Sequence, residues 1–304
     1  GPFGSRSHDV ASERADSLRN PDRDVCIAGV GGSQARTVRH VDARDLCKLG
    51  DAAATEPSFV LWGDSHAEAI RAGIDAAARA QGVSGYFAGS LGCPPTLGTR
   101  PYYNGREYGD CVGMNEAVLR LVHDPQIKTV ILHARWALFF HGSRMAGELG
   151  PDVRLAAVGI GGTNKGILSA KLEATVARLD RLGKNVVIVA GVPEIGAHVP
   201  SFVARVKHFR RELSISITHK DYNLRNKEFN KILEQISTKY SARIIYPNDL
   251  LCGGDVCRVV QDDKLLYLDD DHLSPAGARL VAPMLEPILM EGRPPIGKSA
   301  NVGW

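Results

Sequence analysis

The chain has 304 residues, 44% of them apolar, and 37 lysines and arginines against 34 acidic residues leave a formal charge of +3. This length buries a sizeable core in one large domain or two small ones. The small charge, with no basic run paired to stacking aromatics, excludes a nucleic-acid footprint, and no apolar run approaches the roughly 18 residues that cross a bilayer.

Gly1-Pro2-Phe3-Gly4-Ser5 reads as a protease-cleavage scar from recombinant expression. Residues 1 to about 24 are polar and aperiodic, as in a linker or extension. The mixed, glycine-containing stretch from Cys26 to about Pro57 is expected to wrap the core. A buried strand is predicted over 58–62, then a helix over 65–81 with Ala69, Ile70, Ile74 and Ala77 at helical spacing. A second strand follows at 83–88. Residues 89–110, rich in Gly, Pro and Tyr, are too long for a simple connection and read as a functional loop. A helix at 114–123 and a β-branched strand at 128–133 come next. The amphipathic pattern over 170–182 ends at Gly183, a suitable residue just past a helix, and 185–190 is another buried strand. Helical patterns cover 200–213, whose basic run at 207–211 reads as a solvated face, and 224–240. A short strand is expected at 243–246. Residues 264–268 lead into an Asp-rich loop, and Pro275 opens a last helix with Ser274 as N-cap.

Strands that are apolar throughout and alternate with helices predict a mostly parallel sheet covered on both faces. In such sheets ligands bind beyond the carboxyl ends of the strands. The six cysteines fall as sequence-local pairs, Cys26 with Cys47, Cys93 with Cys111 and Cys252 with Cys257, although six cysteines allow many connectivities. None has zinc-ribbon spacing. Disulfides in an exported domain are the expectation, with the two glycines of Cys252-Gly-Gly-Asp-Val-Cys257 permitting a sharp return.

Two motifs carry chemistry. In Val60-Leu61-Trp62-Gly63-Asp64-Ser65-His66 a strand-like run ends in Gly-Asp-Ser and an Ala-rich helix follows. The hydroxyl of Ser65 is thereby placed at a sheet edge and a helix N-terminus, where its own N–H is free to stabilise an oxyanion. A serine hydroxyl needs a base. Asp269-Asp270-Asp271-His272 supplies one in His272, with Asp269 to fix its tautomer. Asp270 and Asp271 are rivals for that role, less well directed as immediate neighbours. Asp64 reads as an acceptor bracing the turn, and His66 as either a pocket residue or a packing one. Three consecutive aspartates could ligate a hard cation, but no second acidic cluster stands nearby, so neither metal nor cofactor is expected.

These residues resemble the SGNH hydrolase superfamily. The strings from Leu61 to Ala67, Gly92-Cys93-Pro94-Pro95, Ala134-Arg135-Trp136 and Asp271 to Ala278 resemble, more narrowly, the SGNH domains fused behind membrane acyltransferase-3 modules. The resemblance spans about residues 58–290. It implies a three-layer α/β/α sandwich with a mostly parallel, flavodoxin-like five-stranded sheet. It implies a catalytic domain at 58–292, an N-terminal extension at 25–57 and a C-terminal tail at 293–304. It also implies a triad of Ser65, His272 and Asp269, with Gly92, favoured over Gly89, joining Ser65 as an oxyanion donor. The superfamily's asparagine after the third strand is replaced by His133-Ala134-Arg135-Trp136. Arg135 is then either an oxyanion or acidic-sugar donor or a structural arginine paired with a carboxylate, and Trp136 either stacks on a sugar or caps the core. The Tyr102-Tyr103 pair either faces a saccharide or packs the long loop.

The implied activity is O-acetylation of a bacterial cell-surface polysaccharide such as lipopolysaccharide O-antigen, through an acyl-serine, by a periplasmic domain tethered to the inner membrane through its acyltransferase-3 module. A plain acyl esterase with the same triad and a non-catalytic saccharide-presenting domain are the alternatives.

Overall fold

The structure is a computed structural model and describes residues 38–209 and 216–291, with side chains described up to 206 and again from 216 to 290. Its centre is a six-stranded sheet. In chain order the strands are β1 (Cys47–Gly50), β2 (Pro57–Gly63), β3 (Ser84–Gly89), β4 (Thr129–His133), β5 (Asn185–Val189) and β6 (Arg243–Ile245). Their spatial order is β1-β3-β2-β4-β5-β6. The five from β3 to β6 pair in parallel, in the flavodoxin-like order expected of the fold. β1 runs antiparallel to β3 at the edge. This sixth strand is an addition to the expected five. Four residues long with only its last two buried, it has too little apolar pattern to be read locally.

The faces are separated by the period of two along each strand. Phe59, Leu61, Phe87, Ile131, Val187 and Val189 enter one core with Ile70, Ile74 and Ala77 of helix α1 (Ser65–Ala80). Val60, Trp62, Val130, Leu132, Val186 and Ile188 enter the other. That second face is covered by α2 (Cys111–Val122), the short α3 (Trp136–His141), α4 (Asn164–Arg181) and α6 (His219–Tyr240). Helix α5 (Val199–Phe209) and helix α7 (Pro275–Val281) lie with α1. Each fully buried Leu, Ile or Val contributes about 1.5–3 kcal/mol. Strands buried on both sides need continuous apolar runs for that reason.

Three differences from the sequence reading concern the surroundings of the sheet. The long connection 89–110 is not all loop: Thr99–Tyr103 pairs antiparallel with Arg106–Glu107 and with a strand the sequence did not reveal, Val153–Ala157. Helix α3 has no amphipathic signal in the sequence, because Trp136-Ala-Leu-Phe-Phe is buried all round and shows no polar face. Helix α4 starts earlier than expected, at Asn164, where the Thr163 hydroxyl caps it by accepting from the Gly166 N–H. The basic run 207–211 has its side chains outside those described.

Cys93–Cys111 and Cys252–Cys257 are disulfides, with Cα atoms 5.3 and 3.7 Å apart. Cys47 is disulfide-bonded; its expected partner Cys26 lies outside the described residues. No helix among the described residues is long and apolar enough to cross a membrane.

Candidate active site

β2 ends at Gly63, and no other residue fits there. A Cβ on it would lie 1.8 Å from the His133 carbonyl oxygen of β4 and 2.6 Å from the Ala67 Cβ of α1. Asp64 follows as the N-cap of α1. One of its carboxylate oxygens accepts from the His66 N–H at 2.8 Å and the other from the Arg135 N–H at 3.1 Å. The turn after β2 is thus tied to the chain leaving β4. Ser65 becomes the first helical residue, its N–H among those a helix leaves unpaired.

The second motif is shaped by its own first carboxylate. Asp269 Oδ1 accepts from the N–H groups of Asp271 (3.0 Å) and His272 (2.7 Å), an Asx-type closure. Its carbonyl accepts from Val199 N–H, and that of Asp270 from Ile195 N–H, which anchors the loop from outside. Beyond it, Ser274 caps α7 by accepting from the Gly277 N–H at 3.1 Å, and α7 packs along α1. The helix after each motif therefore holds the two motifs together.

Between them a hydrogen-bonded chain forms. His272 Nδ1 lies 2.8 Å from Asp269 Oδ2, and His272 Nε2 lies 2.8 Å from Ser65 Oγ. With Nδ1 donating to the carboxylate, Nε2 is left to accept from the serine hydroxyl. Burial disfavours the imidazolium, but Asp271 and Asp269 outweigh it and hold the His272 pKa well above its ordinary 6.5. Burial likewise works against charge on Asp269, yet its hydrogen bond to His272 leaves it below the usual carboxylate value.

Asp271 is closer to this chain than sequence reasoning allowed. The Asx closure wraps the loop so that Asp271 Oδ1 also reaches Nδ1, at 2.7 Å. Asp270, the remaining rival, lines the cavity with its carboxyl raised by burial and by its acidic neighbours. The three carboxylates are near enough to share a cation, but Asp269 and Asp271 are already paired with His272 and Arg135.

Ser65 and His272 open onto a cavity of about 400 Å³, lined also by Gly92, Tyr103, Tyr108 and Arg144. Gly92 sits at φ +62°, and a Cβ on it would come within 2.8 Å of the Tyr108 ring; the adjacent Cys93–Cys111 disulfide pins this turn to the start of α2. Tyr103 meets Tyr108 edge-to-face at 5.2 Å. Tyr102 bonds Glu107 instead, with Arg154 over its ring. Tyr108 belongs to the long 89–110 stretch, whose length marks it as functional, whereas nothing local in the sequence singles out Arg144.

Of the three expected substrate contacts, Trp136 and His66 are corrected, and Arg135 lines the cavity but is tied to carboxylates. Arg135 is 6% exposed, and each of its guanidinium nitrogens is paired with a carboxylate, of Glu194, Glu148 and Asp271. A buried guanidinium demands such partners, so Arg135 is a carboxylate-paired arginine in the wall of the cavity. Trp136 is fully buried; it donates Nε1–H to the Val189 carbonyl at 2.8 Å and stacks on Phe229, so it offers no face to a sugar. His66 is 2% exposed, stands against the His272 ring at 4.4 Å between centroids and does not line the cavity.

Residues 32–287 match the family model described as SGNH domain (fused to AT3 domains). Among solved structures, the chain is similar to the lipopolysaccharide acetyltransferase periplasmic domain of Salmonella ser. Paratyphi A, with 13% identity and a TM-score of 0.60, over 95% of this chain and 98% of that one. It is also similar to TesA, with 13% identity and a TM-score of 0.40, over 78% of this chain and 99% of that one. No curated protein matches its sequence.

Proposed function

This chain belongs to the family of SGNH domains fused to AT3 domains, and from that membership we propose that it is a serine-dependent O-acyltransferase, acetylating a bacterial cell-surface polysaccharide such as lipopolysaccharide O-antigen. The observation that carries the reading is the Ser65–His272–Asp269 chain, with 2.8 Å on either side of the imidazole, at the mouth of a cavity.

In this reading Ser65 Oγ attacks the acyl carbonyl of the donor while His272 Nε2 takes its proton. Asp269 keeps the proton on Nδ1 and stabilises the imidazolium. The N–H groups of Ser65 and Gly92, which have no acceptor among the described residues, hold the oxyanion. His272 then gives its proton to the departing donor. A sugar hydroxyl attacks the acyl-serine, His272 removes the hydroxyl's proton, and the tetrahedral intermediate collapses to the sugar ester as His272 returns that proton to Ser65 Oγ. The AT3 domain of the same polypeptide would supply the acyl group across the inner membrane, and the disulfides fit an extracytoplasmic, oxidising compartment. In this division residues 58–292 are the catalytic domain, 25–57 its extension, 1–24 a linker and 293–304 a tail.

The test is to trap the intermediate. After brief exposure to p-nitrophenyl acetate, the peptide bearing Ser65 is expected to gain one acetyl group by mass spectrometry, and added acceptor oligosaccharide to discharge it as a sugar acetate. Release of p-nitrophenol with the acetyl group on another residue would refute the mechanism. Discharge to acetate alone, at a rate the oligosaccharide does not change, would make the protein an esterase.

The pH dependence has a definite sign. Acylation needs the neutral imidazole, and His272 binds its proton more tightly than an ordinary histidine. The acid limb of kcat/KM is therefore expected above pH 6.5, activity rising as pH rises through it. A limb below 6.5 would mean that desolvation outweighs the two carboxylates.

A further inference from the structure

Nδ1 of His272 faces two carboxylates, Asp269 Oδ2 at 2.8 Å and Asp271 Oδ1 at 2.7 Å. One N–H cannot be donated in full to both. Two carboxylates at this distance would hold the imidazolium so firmly that Nε2 could not accept the Ser65 proton near neutrality. The far oxygen of Asp271, Oδ2, is paired with Arg135 Nη1. The remaining nitrogens fix the guanidinium from behind, Nε on Glu194 Oε1 at 2.7 Å and Nη2 on Glu148 Oε2.

We propose that Arg135 is a positioning residue that sets the basicity of His272 through Asp271: by holding one oxygen of that carboxylate it draws charge away from the imidazole and leaves Asp269 the principal acceptor. The proposal rests on reading His272 as the base for Ser65 and assigns a task to the arginine standing where the superfamily's asparagine is missing.

The charges around the cluster support it. Glu194 is shared with Arg225, whose Nε lies 2.8 Å from Oε2, and Glu148 with Arg144, whose Nη1 lies 3.9 Å from Oε2, so three arginines face Asp271, Glu194 and Glu148. Burial pushes the Glu148 carboxyl up to about 7. Near neutrality the positive charge of Arg135 is thus not fully spent on the glutamates. The other titratable groups facing His272 are Asp64 and His66 at the start of α1 and His133 at the end of β4. Burial drives His133 down to about 3, so it stays neutral. Asp64 is held by the N–H groups of His66 and Arg135.

The experiment titrates the His272 imidazole by NMR in histidine-labelled protein, assigned with His272→Gln, alongside the acid limb for p-nitrophenyl acetate. Arg135→Gln is expected to raise the His272 pKa and move the limb to higher pH by about one pH unit, and Asp271→Asn to move both lower by a similar amount. Arg135→Lys, which keeps the charge, is expected to return most of the shift. A folded Arg135→Gln protein with lowered kcat and an unmoved titration would reduce Arg135 to a structural role and overturn the proposal. If Arg135→Gln does not fold, Asp271→Asn and Glu148→Gln decide. Glu148→Gln leaves more of the guanidinium charge to Asp271 and is expected to lower the His272 pKa, and no movement in either variant overturns the proposal. The titration is read in Ser65→Ala protein as well, so it stands apart from any failure of the catalytic reading.

Discussion

Ser65→Ala is expected to lower turnover of p-nitrophenyl acetate by roughly 10⁴-fold or more, as removal of the nucleophile does in Ser-His-Asp enzymes. The melting temperature is expected to stay within about 2 °C of the parent. The two halves of this prediction have separate causes. The hydroxyl's hydrogen-bond partner is His272 Nε2, so its loss removes the bond-forming atom. The helix start does not depend on that hydroxyl, because Asp64 is the N-cap and keeps its bonds to the His66 and Arg135 N–H groups. Residual activity would come from the N–H groups at the cavity acting on bound ester. Turnover at the parent rate by a folded Ser65→Ala protein would remove the nucleophile from the scheme.

The second large effect is expected at Asp269. Asp269→Asn preserves shape, and the amide oxygen can still close the turn onto the Asp271 and His272 N–H groups. The amide nitrogen then presents an N–H to Nδ1, which favours the tautomer with the proton on Nε2. That tautomer cannot accept from Ser65. A loss of roughly 10³–10⁴-fold in kcat is expected, the upper end being the value for the same change in a Ser-His-Asp protease. Asp271 stands 2.7 Å from the same nitrogen and offers partial replacement, so Asp269→Asn combined with Asp271→Asn is expected to fall further than either alone. Asp270→Asn, whose carboxylate does not contact the imidazole, is expected to have the smallest effect of the three. If Asp271→Asn proves more damaging than Asp269→Asn, the orienting carboxylate is Asp271.

Much of the fold was legible because its elements declare themselves over short windows. The parallel strands β2, β4 and β5 carry continuous apolar runs, and α1, α6 and α7 carry helical spacing or caps that need no distant partner. The elements missed lack such a signal. β1 is a four-residue edge strand whose place depends on β3, α3 is apolar all round, and Val153–Ala157 becomes a strand only beside Thr99–Tyr103.

The same division runs through the site. Sequence alone determined that Ser65 would stand at the end of a buried strand and the start of a helix, and that Asp269 and His272 would share one tight turn, because both arrangements are made by neighbouring residues. Only the tertiary structure decided that Asp271 reaches the imidazole, that Trp136 and His66 turn inward, and that Arg135 meets Glu148, Glu194 and Asp271. The physical reason is desolvation. A buried charge or ring is defined by whichever groups replace its water, and here those groups come from strands, loops and helices far apart in the chain.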